Sequence, residues 1–256
     1  MTKRSVVVFI LTLMVVGSVS AQEKQKKVYR PDIPGSFMID FGFNTGFSTP
    51  QNFSYGTWGS RTLNLYYHYP VRIGQSNFTY NPGAGFSFER FKLTNNYTLM
   101  PQPSSTDGTY IIDNPASVTS PIGFLQGASI KKSMLVANYF DVMPIEFRFD
   151  SNPKDLARSF NFSIGARVGA LIESHTKIKY SNTNGVSGTF KDKQQHGLNP
   201  FRYGLYGRIG VGNFNWFCFY NLSPYFDTGK GPHNSTTDQR SSSMNTMTIG
   251  ISLNGF

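Results

Sequence analysis

Charge is scarce in this chain. Asp, Glu, Lys and Arg together supply 15% of its 256 residues, against about 25% in soluble domains. Cysteine is nearly absent too, and Cys218, the single one, excludes any internal disulfide. Beyond the N-terminus no stretch approaches the roughly 20 consecutive apolar residues of a spanning helix, and a mean hydropathy of −0.29 excludes a bundle of such helices. Amphipathic helical periodicity is missing as well. What the chain has in quantity is aromatic side chains, with 23 Phe and 14 Tyr.

The one continuous apolar run lies at the start. Lys3 and Arg4 precede Val6 to Val16, and Ser18-Val19-Ser20-Ala21 follows, the pattern of a secretory signal cleaved after Ala21. The run is too short for a membrane anchor, and no cysteine stands near the cleavage point to carry a lipid. Residues 1–21 are therefore read as a signal peptide, 22–34 (QEKQKKVYRPDIP) as a flexible periplasmic lead-in, and 35–256 as the folded body. Cleavage lowers the formal charge from +10 to +8. Export, and the spread of basic residues through separate loops, argue against nucleic acid as a partner. The positive balance suits anionic lipid headgroups instead.

Within 35–256 the chain falls into eight segments of period 2 separated by turn signals. They cover about 36–48, 61–73, 78–92, 132–149, 160–173, 201–211, 214–226 and 243–255. The sixth, FRYGLYGRIGV, puts Phe201, Tyr203, Leu205, Ile209 and Val211 on one face and Arg202, Tyr206 and Arg208 on the other. In a soluble sandwich the apolar face would line a core. In a membrane barrel it meets lipid and the arginines point inward.

The connections decide between the two. Links at 74–77, 150–159 and 212–213 are short, while those at 49–60, 93–131, 174–200 and 227–242 are longer and rich in Ser, Thr, Asn, Gly and Pro. Such alternation predicts an all-β, eight-stranded antiparallel up-and-down transmembrane β-barrel, with short periplasmic turns and long, exposed outer loops. Greek-key crossovers of a sandwich would mix long and short links at both ends.

An isolated guanidinium in hydrocarbon is costly, so the polar face must look into the lumen. The interior network then includes Asp40, Arg72, Glu89, Glu146, Arg148, Arg167, Arg202 and Arg208. With eight strands, side chains nearly fill the bore, and these groups are expected to interlock and block a channel. Pro144 marks a bulge. Tyr66, Tyr69, Tyr203, Tyr220, Tyr225 and Trp216 are candidates for interfacial girdles, and Cys218, on the face of Trp216 and Tyr220, is read as lipid-facing.

Enzymatic signatures are weak. The loop TGKGP has Gly231 where Ser or Thr should follow the lysine of a phosphate-binding loop. His68, His175, His196 and His233 are scattered without metal-ligand spacing. His175, close to Glu173 and Ser174, is the one candidate for hydrolase-like chemistry. The reading is therefore a non-enzyme without cofactor or metal, structural, adhesive or accessory to an envelope protein complex. The alternatives are an outer-membrane enzyme acting on lipid or peptide, and a soluble lipocalin-like carrier.

Two stretches carry a family resemblance. GLYGRIGVGNFNWFCFYNLSPYFDTGKGP (204–232), followed by MTIGISL, resembles the closing hairpin of Bacteroidetes-type outer-membrane barrels called PorT-like. KKSMLVANYFDVMPIEFRFD (131–150) resembles their strand built on a Tyr-x-x-x-Pro core, with one extra residue between Tyr139 and Pro144. The resemblance implies a small barrel in the cell outer membrane, with lipid and the barrel-assembly machinery as partners. The terminal Phe256 resembles the C-terminal signal which that machinery recognises.

Overall fold

The computed structural model describes residues 35–50, 52–102, 109–232 and 244–255. The expected signal peptide, the lead-in and Phe256 lie outside the described residues. In chain order the strands are β1 (Ser36–Phe47), β2 (Arg61–His68), β3 (Val71–Arg72), β4 (Phe78–Tyr80), β5 (Gly83–Leu93), β6 (Thr98–Pro101), β7 (Tyr110–Asp113), β8 (Ser129–Asp150), β9 (Phe160–Ser181), β10 (Ser187–Asp192), β11 (Phe201–Val211), β12 (Phe214–Asn221) and β13 (Asn245–Asn254). Among the described residues the helical elements are three-residue 3-10 turns.

Eight strands close on themselves in the order β1, β2, β5, β8, β9, β11, β12, β13 and back to β1, every pairing antiparallel. This is the up-and-down barrel that the alternation predicts, and closure leaves its wall without an unpaired edge. The seam runs from Met38 opposite Asn254 to Phe47 opposite Asn245.

The faces of β11 settle which side is greasy. Phe201, Leu205 and Ile209 stand on the outer wall at 66, 51 and 49% exposure, while Arg202 and Arg208 are buried in the lumen. The same alternation continues around the wall through Phe41, Leu63, Phe86, Phe147, Ile164, Trp216 and Ile249, all exposed. Cys218 belongs to this outer surface.

The elements depart from the expected segments in two places and keep the expected bulge at Pro144. Pro70 and Pro82 interrupt β2 and β5 at the lower end, because proline cannot donate to the ladder; beyond them β4 takes up the pairing with β8, from Phe78–Phe149 to Tyr80–Phe147, and β3 pairs with β4. Strands β8 and β9 run for 22 residues each, about twice the 9–11 that cross a bilayer, so their upper halves rise beyond the apolar band. There β10 pairs with β9 from Ser187–Ser181 to Asp192–Thr176, in a stretch expected as loop. Around Pro144 the β8–β9 register shifts between Val142 and Ile145, a bulge at the residue that lacks an N–H.

Candidate functional site in the barrel lumen

The lumen holds two layers of charge. In the upper layer Arg202 Nη2 donates to Asp141 Oδ2 at 2.7 Å and Nη1 to Glu89 Oε2 at 3.1 Å. Its guanidinium lies 3.8 Å from the centre of the Tyr139 ring. Arg167 donates to the Tyr66 hydroxyl, which itself donates to Asp141 Oδ2 at 2.8 Å, and stacks 3.3 Å above the Phe219 ring. In the lower layer Arg208 reaches Glu146 Oε2 at 2.8 Å and Asp40 Oδ2 at 3.3 Å. Tyr206 donates to Glu146 at 2.6 Å and Asn64 to Asp40 at 3.2 Å. All these charged groups are at most 4% exposed. Multidentate, charge-assisted contacts of this kind are what a guanidinium needs when it leaves water.

Backbone economy makes room for the layers. A Cβ at Gly169 would collide with the Asp141 carboxylate, and one at Gly165 would meet the Tyr206 ring tip at 2.6 Å. Met38, Tyr66, Met143, Tyr206 and Phe219 pack between the charges.

The structure thus brings together Asp40, Glu89, Glu146, Arg167, Arg202 and Arg208. Arg148 sits lower, partly exposed, and pairs with Asp150 at 2.9 Å in the lower mouth. Arg72 must be corrected: it is exposed on β3, its Nε donating to the Ser76 carbonyl at 3.2 Å. Among the described residues β3 pairs with β4 alone and ends the sheet below Pro70, so no closed wall surrounds Arg72 and strand parity no longer points it at a lumen. Tyr206, from the arginine face of β11, completes the network together with Asp141 and Tyr66, which the sequence reading did not place there. Tyr66 and Tyr225, expected at interfacial girdles, are both 1% exposed, Tyr66 in the lumen and Tyr225 under the upper loops.

Those upper loops are not simply exposed. Phe53, Phe91, Leu99, Ile112, Leu135, Leu198, Tyr225, Phe226 and Met244 form one buried cluster across the upper end. Phe53 packs edge-on against Phe91 at 5.6 Å and Phe226 at 5.9 Å. The apolar residues inside otherwise polar loops, TLM at 98–100 and YII at 110–112, were the available signal. Buried His196 seals one flank, its Nδ1 2.7 Å from the Gln194 carbonyl.

At the lower mouth a pocket of about 290 Å³ opens between His68, Asn81, Arg148, Asp150 and Asn254. Among the described residues no group of three or more His, Cys, Asp or Glu is arranged to hold a metal. His175 Nδ1 lies 3.6 Å from Glu173, but the Ser174 hydroxyl points to the other face and donates to the Gln194 carbonyl at 2.5 Å.

Residues 21–227 match the family model of the outer membrane protein beta-barrel domain. No curated protein matches the chain. Among solved structures the chain is similar to Ail, the attachment invasion locus protein of Yersinia pestis, solved in complex with the heparin analogue sucrose octasulfate. The identity is 15%, over 87% of this chain and 99% of that one, with a TM-score of 0.29.

Proposed function

The chain belongs to the family of outer-membrane β-barrel domains, and from that premise we propose a non-enzymatic, non-conducting barrel whose upper end is displayed at the cell surface, as an adhesive or structural platform or as a member of an envelope complex. The observation that carries this reading is the double closure of the bore. Charged layers fill its middle and the aromatic cluster covers its upper end, while the long β8–β9 hairpin and β10 rise beyond the apolar band as a rigid presenting surface. The resemblance of residues 204–232 to PorT-like barrels supports kinship with them, and the signal-like pattern of residues 1–21 and the terminal Phe256 support export and insertion by the assembly machinery. A hydrolase reading finds no support at His175, since Ser174 faces away from it.

The test is made in two settings. Purified, refolded protein in planar bilayers is expected to give no current steps above background, and stable unitary conductance would overturn the closed-bore reading. Crosslinking in intact envelopes, with reactive groups on the β9–β10 hairpin, is expected to capture a surface or envelope partner; adducts confined to the cytoplasmic or soluble fraction would contradict the display role.

A further inference from the structure

On one side of the barrel, just above the apolar band, the outward face of five adjacent strands is strongly cationic. Arg61 on β2 stands opposite Arg90 on β5, Lys132 on β8 opposite Lys179 on β9, and Lys177 on β9 opposite Lys191 on β10. Lys92 continues the row, separated from Lys177 only by Met134. Like charges placed directly across a ladder destabilise it, and here three such pairs share one face. Among the described residues none of these seven cations has a carboxylate within ion-pairing distance. The outward Glu173 nearby is already engaged by Lys193 at 3.3 Å. The repulsion therefore awaits an external anion.

A groove of about 480 Å³ runs through this patch, with Arg61, Arg90, Lys177 and Lys191 on its rim and Leu63, Phe88 and Val136 along its floor. Leu63 and Phe88 belong to the lipid-facing band, at 39 and 41% exposure, and each is two residues, about 7 Å, below its arginine. The site is thus amphipathic along the membrane normal. A soluble polyanion would leave the apolar floor uncovered, whereas an anionic lipid fills both halves.

The geometry points to a binding site for a phosphorylated lipid of the surrounding leaflet, its acyl chains against Leu63, Phe88 and Val136 and its phosphates on Arg61, Arg90, Lys177 and Lys191. This rests on the proposed placement of the upper end at the cell surface, which puts the groove at headgroup level. Phosphate contacts by clustered basic residues at that level are favourable and salt-sensitive.

The test titrates the full refolded chain with bis-phosphorylated lipid A, with the same lipid stripped of phosphate, and with heparin. Binding of the phosphorylated lipid is expected to be at least tenfold tighter than that of the stripped form, and to weaken about 30-fold when Lys177→Gln and Lys191→Gln remove two headgroup charges. Equal binding of the two lipid forms by the unaltered chain overturns the proposal whatever the variant does. So does undiminished binding by a variant that keeps the unheated gel mobility of the folded barrel. Heparin binding tighter than lipid, and lost in the same variant, overturns it in favour of a polysaccharide. Orientation is read separately, with an impermeant maleimide on intact cells carrying Asn184→Cys in a Cys218→Ala background. Labelling supports surface display, and its absence overturns the display reading without touching the binding result.

Discussion

Arg202 concentrates the physics of the lumen in one side chain. It is 2% exposed, satisfies both Asp141 and Glu89, and stacks on Tyr139. Removing one member of a buried charge pair leaves its partners uncompensated, at a cost of about 3–5 kcal/mol. Arg202→Met is therefore expected to lower the stability of the folded barrel by that amount in urea unfolding, whereas Lys193→Ala, which breaks the exposed pair with Glu173, should cost no more than about 1 kcal/mol. A small effect at Arg202 would mean that water already reaches Asp141. Arg202, like Arg208, was visible in the sequence, because strict alternation in FRYGLYGRIGV isolates both from the apolar face. Asp141 was not, for a definite reason: the bulge at Pro144 inverts parity within β8. Glu146 faces inward among even positions, but above the bulge the inward residues are Tyr139, Asp141 and Met143. Alternation carried back from Glu146 puts Asp141 on the wrong side.

The elements show the same limit at larger scale. Strand number and connectivity were legible because lipid and lumen impose opposite chemistry on successive residues. Where strands leave the apolar band that contrast vanishes, and the upper half of β9 with β10, KIKYS and SGTFKD, reads as loop. The cap was hidden because its apolar residues come from several separated loops and β-strands. His196 gives this cap a pH dependence. It is fully enclosed, and burial holds its pKa below the ordinary 6.5, against the opposing pull of Asp192. The closed loop therefore binds a proton less readily than the open one. Its stability is complete above about pH 6.5 and declines as pH falls through that value. Amide exchange across 193–200, corrected for intrinsic rates, should show lower protection at about pH 5 than at pH 7.5, and His196→Asn should flatten the difference; equal protection at both pH values in the unaltered chain would rule the histidine out as the cause.

For the whole molecule, the two closures act in series. An eight-stranded wall encloses a bore that side chains just fill, so either obstruction alone suffices to stop ions. The charged layers follow from placing arginines in a cylinder too narrow to hydrate them freely, and the aromatic cap from folding the upper loops onto the rim of that cylinder. Series closure has a testable signature in non-additivity. Replacing Phe53, Phe91 and Phe226 by Ser opens the cap but leaves Arg202, Arg208 and their carboxylates across the bore, and planar-bilayer recordings should stay at baseline. Replacing Arg167, Arg202, Asp141 and Glu89 together by Ser removes the upper charged layer as two cations with two carboxylates, yet the cap still covers it, and the current should again be absent. With Arg208, Glu146 and Asp40 still across the lower bore, the combined variant is expected to stay at baseline, and unitary steps to appear only once these three are replaced as well. Adding Arg208→Ser with Glu146→Ser and Asp40→Ser tests that remaining barrier. Conductance from the cap variant alone would mean that the charged layers are permeable and that the aromatic cluster is the sole seal.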